Sequence, residues 1–99
     1  EVENSLISNG CIIEGKVINS VLSRGTIVEK DVVLEECVIL QDCHIKAGSH
    51  LKNVIVDKNN IIHENEKLSA SEEYPLVIEK GMKWNTKEYK DLMDYIKNK

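Results

Sequence analysis

An aliphatic residue recurs about every six positions through the first two-thirds of the chain. The recurring residues are Ile7, Ile13, Leu22, Val28, Leu34, Leu40, Ile45, Leu51, Val56 and Ile62. A smaller residue usually stands two positions earlier, as Thr26 does, and a polar residue usually follows, as Glu29 does. Residues two apart in a strand share a face, so the small and the aliphatic residue point inward and the polar residue begins a corner. This repeat predicts a parallel β-helix.

Three short strands and three corners make one triangular coil of about 18 residues in this prediction, and residues 1–63 then form three to four coils. The long step from Ile13 to Leu22 predicts a degenerate strand at 16–18. The short steps from Leu40 to Ile45 and from Leu51 to Val56 predict tightened corners. Alternation in an ordinary β-sandwich explains the apolar content equally well, but not the repeated order of small, aliphatic and polar residues.

The remainder of the chain has a different pattern. Residues 64–84 are expected to form a loop, over 64–73, and then a closing strand over 74–78 that pairs with the last coil. Residues 85–99 are predicted to form a C-terminal amphipathic helix, because Asn85 is a suitable N-cap and Glu88 follows three residues later. Its apolar stripe, a candidate interface with its own β-helix or with another domain or subunit, consists of Tyr89, Leu92, Met93 and Ile96.

Composition narrows the possible partners and the compartment. The net charge of −4, with Arg24 as the only arginine, argues against a nucleic-acid surface, and no apolar run is long enough to span a membrane. Three cysteines do not suggest a disulfide framework. We expect Cys11 and Cys43 to be small inward residues in a cytoplasmic protein, and the spacing of Cys37, Cys43 and His44 gives little support to a zinc site.

The first residues already belong to the repeat and carry no polar cap of the kind that usually closes a solenoid. We therefore expect the chain to be the C-terminal part of a longer protein. No Gly-rich phosphate loop and no paired aspartates for Mg²⁺ occur in it, so we expect it to be non-catalytic by itself.

Several strings of the repeat resemble, in order and separation, the C-terminal domain of bacterial glucose-1-phosphate adenylyltransferase (ADP-glucose pyrophosphorylase). They are Asn4-Ser5-Leu6-Ile7 with Gly10-Cys11-Ile12-Ile13-Glu14-Gly15, Asn19-Ser20-Val21-Leu22 with Arg24-Gly25, Val38-Ile39-Leu40-Gln41-Asp42 and Val56-Asp57-Lys58-Asn59. The family often has Gly where this chain has Glu29, Asp31 and Lys46. That departure and the C-terminal helix are more similar to the regulatory, GlgD-type subunit than to the catalytic one.

The resemblance implies a left-handed β-helix that joins subunits and transmits regulation in glycogen biosynthesis. The family reaction converts ATP and glucose 1-phosphate to ADP-glucose and pyrophosphate, with Mg²⁺ and ATP bound by a separate catalytic domain. The implied partner is a catalytic subunit or a second copy, in a hetero- or homo-tetramer. Arg24, with Lys16 or Lys30 nearby, is the weak candidate for binding an anionic effector.

Two readings from other classes stay open. A hexapeptide-repeat acyltransferase would use His44, His50 or His63 as a general base. Because His44 and His50 are six residues apart, we expect them on different faces, where they could not converge within one chain. A β-helix resembling carbonic anhydrase would need metal-binding histidines from several subunits, which this spacing does not suggest.

Overall fold

The chain winds into a parallel β-solenoid of about four turns. The structure is a computed structural model and describes residues 1–80 and 95–96. Its strands are β1 Val2–Glu3, β2 Leu6–Ile7, β3 Ile12–Ile13, β4 Lys16–Ile18, β5 Val21–Leu22, β6 Ile27–Val28, β7 Val33–Glu35, β8 Val38–Ile39, β9 His44–Ile45, β10 His50–Lys52, β11 Val54–Val56, β12 Ile61–Ile62, β13 Lys67–Ser69 and β14 Leu76–Ile78. The predicted parallel β-helix is therefore confirmed, whereas its left-handed winding stays a prediction.

Three parallel sheets form the sides of the triangle. Sheet A has the order β1-β4-β7-β10-β13, sheet B has the order β14-β11-β8-β5-β2, and sheet C has the order β12-β9-β6-β3. Val17 pairs with Leu34, and Leu51 pairs with Leu68, so a typical turn takes 17 residues. The first turn takes 15, because Val2 pairs with Val17. Every third strand thus stacks on the same side of the molecule.

Aliphatic side chains stacked inside the triangle form the core. Burial of such side chains is the main favourable term in folding, at roughly 25 cal/mol for each Å² removed from water. The fully enclosed members are Val17, Leu22, Val28, Leu34, Ile39, Ile45, Leu51, Val56, Ile62 and Ile78. The prediction was wrong at Leu40: Ile39 points inward and Leu40 is only half-buried.

The corner between sheets A and B explains that error. One residue with positive φ turns the chain at this corner in each turn, and these residues are Asn4, Asn19, Glu36 and Asn53. Because this corner is one residue shorter than the other two corners of its turn, the step from Leu34 to Ile39 is the short one, and not the step after Leu40. The short step at Val56 and the degenerate strand at 16–18 are confirmed, and the structure shows that Val17 is the inward residue of that strand.

The small inward residues also satisfy backbone groups between turns. Thr26 Oγ1 donates to Ser23 O at 2.8 Å and lies 3.4 Å from Leu40 O in the next turn. Cys37 Sγ contacts Leu51 O at 3.3 Å, and Ser20 Oγ accepts from Cys37 N at 3.0 Å. Such positions thus serve both packing and hydrogen bonding, since buried backbone groups need partners.

The cysteines take these inward positions. Cys43 is buried, as predicted, and Cys11 is half-buried. Cys37, which the prediction did not count among the inward residues, is also buried, and this burial raises the pKa of its thiol to about 11. A thiol with so high a pKa is unreactive at neutral pH, because the thiolate is the nucleophile.

The solenoid continues past residue 63. The loop expected over 64–73 contains strand β13, where Leu68 stacks on Leu51, so that part of the prediction was wrong. The closing strand is confirmed at Leu76–Ile78, which pairs in parallel with Val54–Val56. Of the predicted helix at 85–99, only residues 95–96 lie within the described part of the chain, and both are helical.

Candidate functional site

A ladder of outward-facing aliphatic side chains, exposed at its two ends and half-buried at Val38 and Ile55, runs along the outer face of sheet B. Its members stand one position before the inward residue of each strand and pair in register from turn to turn; they are Leu6, Val21, Val38, Ile55 and Val77. We call this set the sheet B ladder. Leu6 is 72% exposed and Val77 is 48% exposed. With adjacent strands about 4.8 Å apart, the ladder is about 19 Å long.

The corresponding positions on sheet A are mainly polar. They are Glu1, Lys16, Val33, His50 and Lys67, aligned by the same strand pairing. Sheet C is intermediate, because Ile12, Ile27 and Ile61 share their row with His44. The sheet B ladder is therefore the most continuous apolar surface on the three described faces. Exposed apolar patches of this kind are characteristic of interaction sites.

The N-terminal end of the stack presents a second apolar surface. Val2 and Ile7 occupy inward positions, yet they are 46% and 37% exposed. They have a turn stacked on one side only among the described residues, since β1 and β2 are edge strands of their sheets. Unpaired edges and uncovered apolar side chains favour contact with another polypeptide segment.

The three cations predicted to bind an effector do not lie at one place on the solenoid. Arg24 lies at the corner between sheets B and C, where its carbonyl accepts from Asp42 N at 3.0 Å. Lys16 begins β4, and Lys30 lies at the corner between sheets C and A, with strand β6 between it and Arg24. Lys16 Nζ is 3.7 Å from Glu1 Oε2. The effector role of these residues stays a prediction.

His44 has a partner that could orient its imidazole. His44 Nε2 is hydrogen-bonded to Glu29 Oε2, while Glu29 Oε1 accepts from Ala47 N at 3.0 Å. Glu29 thereby links the ends of β6 and β9 across two turns. The hydrogen bond with His44 holds the pKa of Glu29 below its usual value, against a smaller opposing effect of desolvation.

The other two histidines lie elsewhere. His50 begins β10 on sheet A, and His63 follows β12 on sheet C; both are exposed. The prediction that His44 and His50 lie on different faces is confirmed, since β9 belongs to sheet C. Within one chain these side chains cannot act on the same substrate atom.

Among residues 1–80 and 95–96, no three side chains of His, Cys, Asp or Glu come together as metal ligands. The same residues include no helix long and apolar enough to cross a bilayer. Of the predicted interface stripe, Tyr89, Leu92 and Met93 lie outside the described residues. Ile96 lies within them and is 56% exposed.

Sequence reasoning overlooked the sheet B ladder, although a signal for it exists. Val21, Val38 and Ile55 are spaced at 17 residues, the length of one full turn. A search for aliphatic residues at this longer period, alongside the six-residue period, would have found an outward row as well as the inward ones. The shorter period identifies only what faces the core.

The comparisons with known proteins agree with this architecture. No curated protein matches the chain. The family model described as GlmU-like, C-terminal hexapeptide matches residues 1–74, which include strands β1 to β13. Because that match covers most of the chain, the protein belongs to the GlmU-like C-terminal hexapeptide family.

Proposed function

We propose that this chain is the C-terminal oligomerisation and regulatory domain of a glucose-1-phosphate adenylyltransferase subunit in glycogen biosynthesis, most similar to the GlgD type. The proposal combines the resemblance of the strings over residues 4–62 with membership of a family of transferase-associated hexapeptide domains. The domain acts by binding other polypeptides and is itself non-catalytic. It belongs to a cytoplasmic enzyme.

The observation that carries this proposal is the sheet B ladder. Val38 and Ile55 at its centre are flanked on both sides by further aliphatic side chains in register. Water contact with such a row is unfavourable, and covering it with a neighbouring subunit of the same enzyme removes that cost. The partner is either the catalytic subunit or a second copy of the regulatory one, within a tetramer.

The stacked turns suit a domain that transmits force between partners. Each turn is fixed to its neighbours by parallel backbone pairing and by buried inward side chains that pack against one another. A stiff body of this kind moves as a unit, so a ligand bound at one contact alters the other contact. In this account the N-terminal end, with Val2 and Ile7, faces the catalytic domain of its own subunit.

The chemistry of the reaction belongs to that separate domain. Transfer of a nucleotide from ATP to glucose 1-phosphate needs a phosphate-binding loop and carboxylates for Mg²⁺, and ATP and Mg²⁺ bind there in our proposal. Arg24 is retained as the candidate contact to an anionic effector, completed by residues of the neighbouring subunit, because Lys16 lies on strand β4 and Lys30 at a different corner.

The test uses the full-length subunit and its catalytic partner, purified separately and mixed. We expect a stable hetero-oligomer by light scattering, and a changed activation curve for ADP-glucose formation. Val38→Glu in the sheet B ladder should abolish both effects, whereas the matched control Val33→Glu on sheet A should retain them. A wild-type subunit that stays monomeric alone and with its partner would overturn the proposal.

The pairing of His44 with Glu29 supports an alternative function in another class. A carboxylate that holds an imidazole fixes its orientation, as a general base requires. In a hexapeptide-repeat acyltransferase, His44 would remove a proton from the acceptor nucleophile at a cleft between subunits. Saturable binding of acetyl-CoA by the purified chain, weakened by His44→Ala, would favour this alternative over the first.

A further inference from the structure

Sheet A carries a cluster of cationic side chains at its C-terminal half. His50 and Lys52 stand two residues apart on β10, on either side of the inward Leu51, so both point outward. Lys67 on β13 pairs with His50, and Ser69 pairs with Lys52. The four side chains therefore form the corners of a rectangle, about 6.6 Å along the strands and about 4.8 Å across them.

A groove of about 320 Å³ lies over this rectangle, and the four residues line it. Val33 and Glu35 extend its wall onto β7, where they pair with His50 and Lys52. Glu35 is the one carboxylate among the lining residues. The local balance is thus positive, with two lysines against one acid, although the whole chain has a net charge of −4.

The hydrogen bonds leave donors of this cluster available. Lys67 Nζ donates to Gly48 O at 2.7 Å, which holds its side chain at the groove and leaves two further N–H groups. No ion pair with Lys52 or His50 is formed within the described residues. Lys52 and Glu35 are neighbours on adjacent strands, yet they are not within ion-pair distance.

We propose that this groove binds the phosphate group of a small phosphate ester. A tetrahedral dianion placed over the rectangle contacts Lys52 from one side and Lys67 and His50 from the other, and accepts from the hydroxyl of Ser69. Charge-assisted hydrogen bonds of this kind are about twice as strong as neutral ones. A single carboxylate has one negative charge fewer and cannot reach both sides of the groove equally.

The groove lies on sheet A, whereas the proposed subunit contact lies on sheet B. Failure of one proposal therefore leaves the other standing. Sequence reasoning placed a cationic site at Arg24 because it is the only arginine, and expected Lys16 or Lys30 near it in adjacent coils. His50 and Lys67 are 17 residues apart and become neighbours only through the stacking of turns.

The experiment is a titration of the purified chain with inorganic phosphate at constant ionic strength, followed by amide chemical shifts in a two-dimensional NMR spectrum. We expect saturable shifts at 50–52 and 67–69. Lys52→Gln should weaken binding about tenfold, and Glu35→Gln should strengthen it about two- to threefold. Both side chains point outward from their strands, so both variants should keep the wild-type spectrum elsewhere.

Lys16→Gln is the matched control, since Lys16 lies on the same face and is paired with Glu1 instead. It should leave phosphate binding unchanged. Three results would overturn the proposal: shifts spread equally over all surface lysines, unchanged affinity in Lys52→Gln, or acetate binding as tightly as phosphate. Unchanged affinity in Glu35→Gln would likewise contradict the placement of the anion over this groove.

Discussion

The outer faces of sheets A and B share one backbone geometry and differ in chemistry. On sheet B, Val21, Val38 and Ile55 stack in register; on sheet A, the corresponding row includes Lys16, Val33 and His50. Strand propensity favours Val and Ile on any strand, but sheet A shows that this solenoid tolerates charged residues in the same row. The aliphatic row on sheet B thus requires an explanation beyond folding, and the subunit contact that we propose would provide one.

The largest expected difference is in stability, between a core residue and a ladder residue on the same strand, β8. Ile39→Ala removes a fully buried side chain and should destabilise the chain by about 2–5 kcal/mol, by leaving a cavity. Its neighbour Val38→Ala, half-buried and outward, should cost below about 1 kcal/mol. Chemical denaturation of both variants tests this, and equal losses would mean that the ladder belongs to the core.

A second prediction tests whether the sheet B ladder is a subunit contact. Val38→Glu combined with Ile55→Glu places two carboxylates in the proposed interface and should weaken association by about 100-fold or more, because unpaired charges resist burial. Sedimentation velocity of the variant with its partner subunit measures this loss. Val33→Glu with Lys52→Glu introduces the same side chains on sheet A, and comparable weakening by that control would remove the distinction between the two faces.

A third, smaller effect concerns the pH dependence of stability and involves sheet C, whose outer face is less polar than that of sheet A and less apolar than that of sheet B. The pKa of Glu29 is lowered in the folded state by its hydrogen bond with His44, so its contribution to stability is present above the unfolded-state pKa near 4.5 and is lost as pH falls through the folded value. The melting temperature of wild type should therefore exceed that of Glu29→Gln at pH 6, with the difference shrinking below pH 4.5. A difference that grows on acidification would contradict this sign.

The smallest expected effect is the change in stability when a charge on the outer face of sheet A is removed. Lys16→Gln breaks the exposed pair with Glu1 and should change stability by less than about 0.5 kcal/mol, because water and salt screen such pairs. Denaturation at low and high salt checks this. A large salt-dependent loss would mean that the charges of sheet A are needed for folding, and the contrast with sheet B would then lose its meaning.

The inward half of the structure could be predicted from the six-residue period, and the outward half could not. Burial in a narrow triangle restricts residues such as Val28 and Leu51 to aliphatic types, so the six-residue period is visible. Leu40 was misplaced because a single residue, Glu36 with φ of 53°, makes the corner before it. Nothing in composition marks Glu36 for that conformation, which Asn adopts more readily.

The surface features of the outer faces depend on which residues become neighbours when the turns stack. The sheet B ladder and the groove at Lys52 and Lys67 both rest on the 17-residue length of a turn, which the prediction set at 18. An error of one residue per turn moves outward residues onto the wrong neighbours. The expected proximity of Lys16 or Lys30 to Arg24 depended on the same stacking, and the structure places Lys16 on strand β4 and Lys30 at a corner away from Arg24.

The most direct measurement of the central claim is methyl NMR of the chain bound to its partner subunit, with a soluble paramagnetic probe. Methyl groups of Val21, Val38 and Ile55 should lose relaxation enhancement in the complex, whereas those of Ile18 and Val33 on sheet A should keep it. The contradicting result is protection of the sheet A methyls while the sheet B ladder stays accessible to the probe.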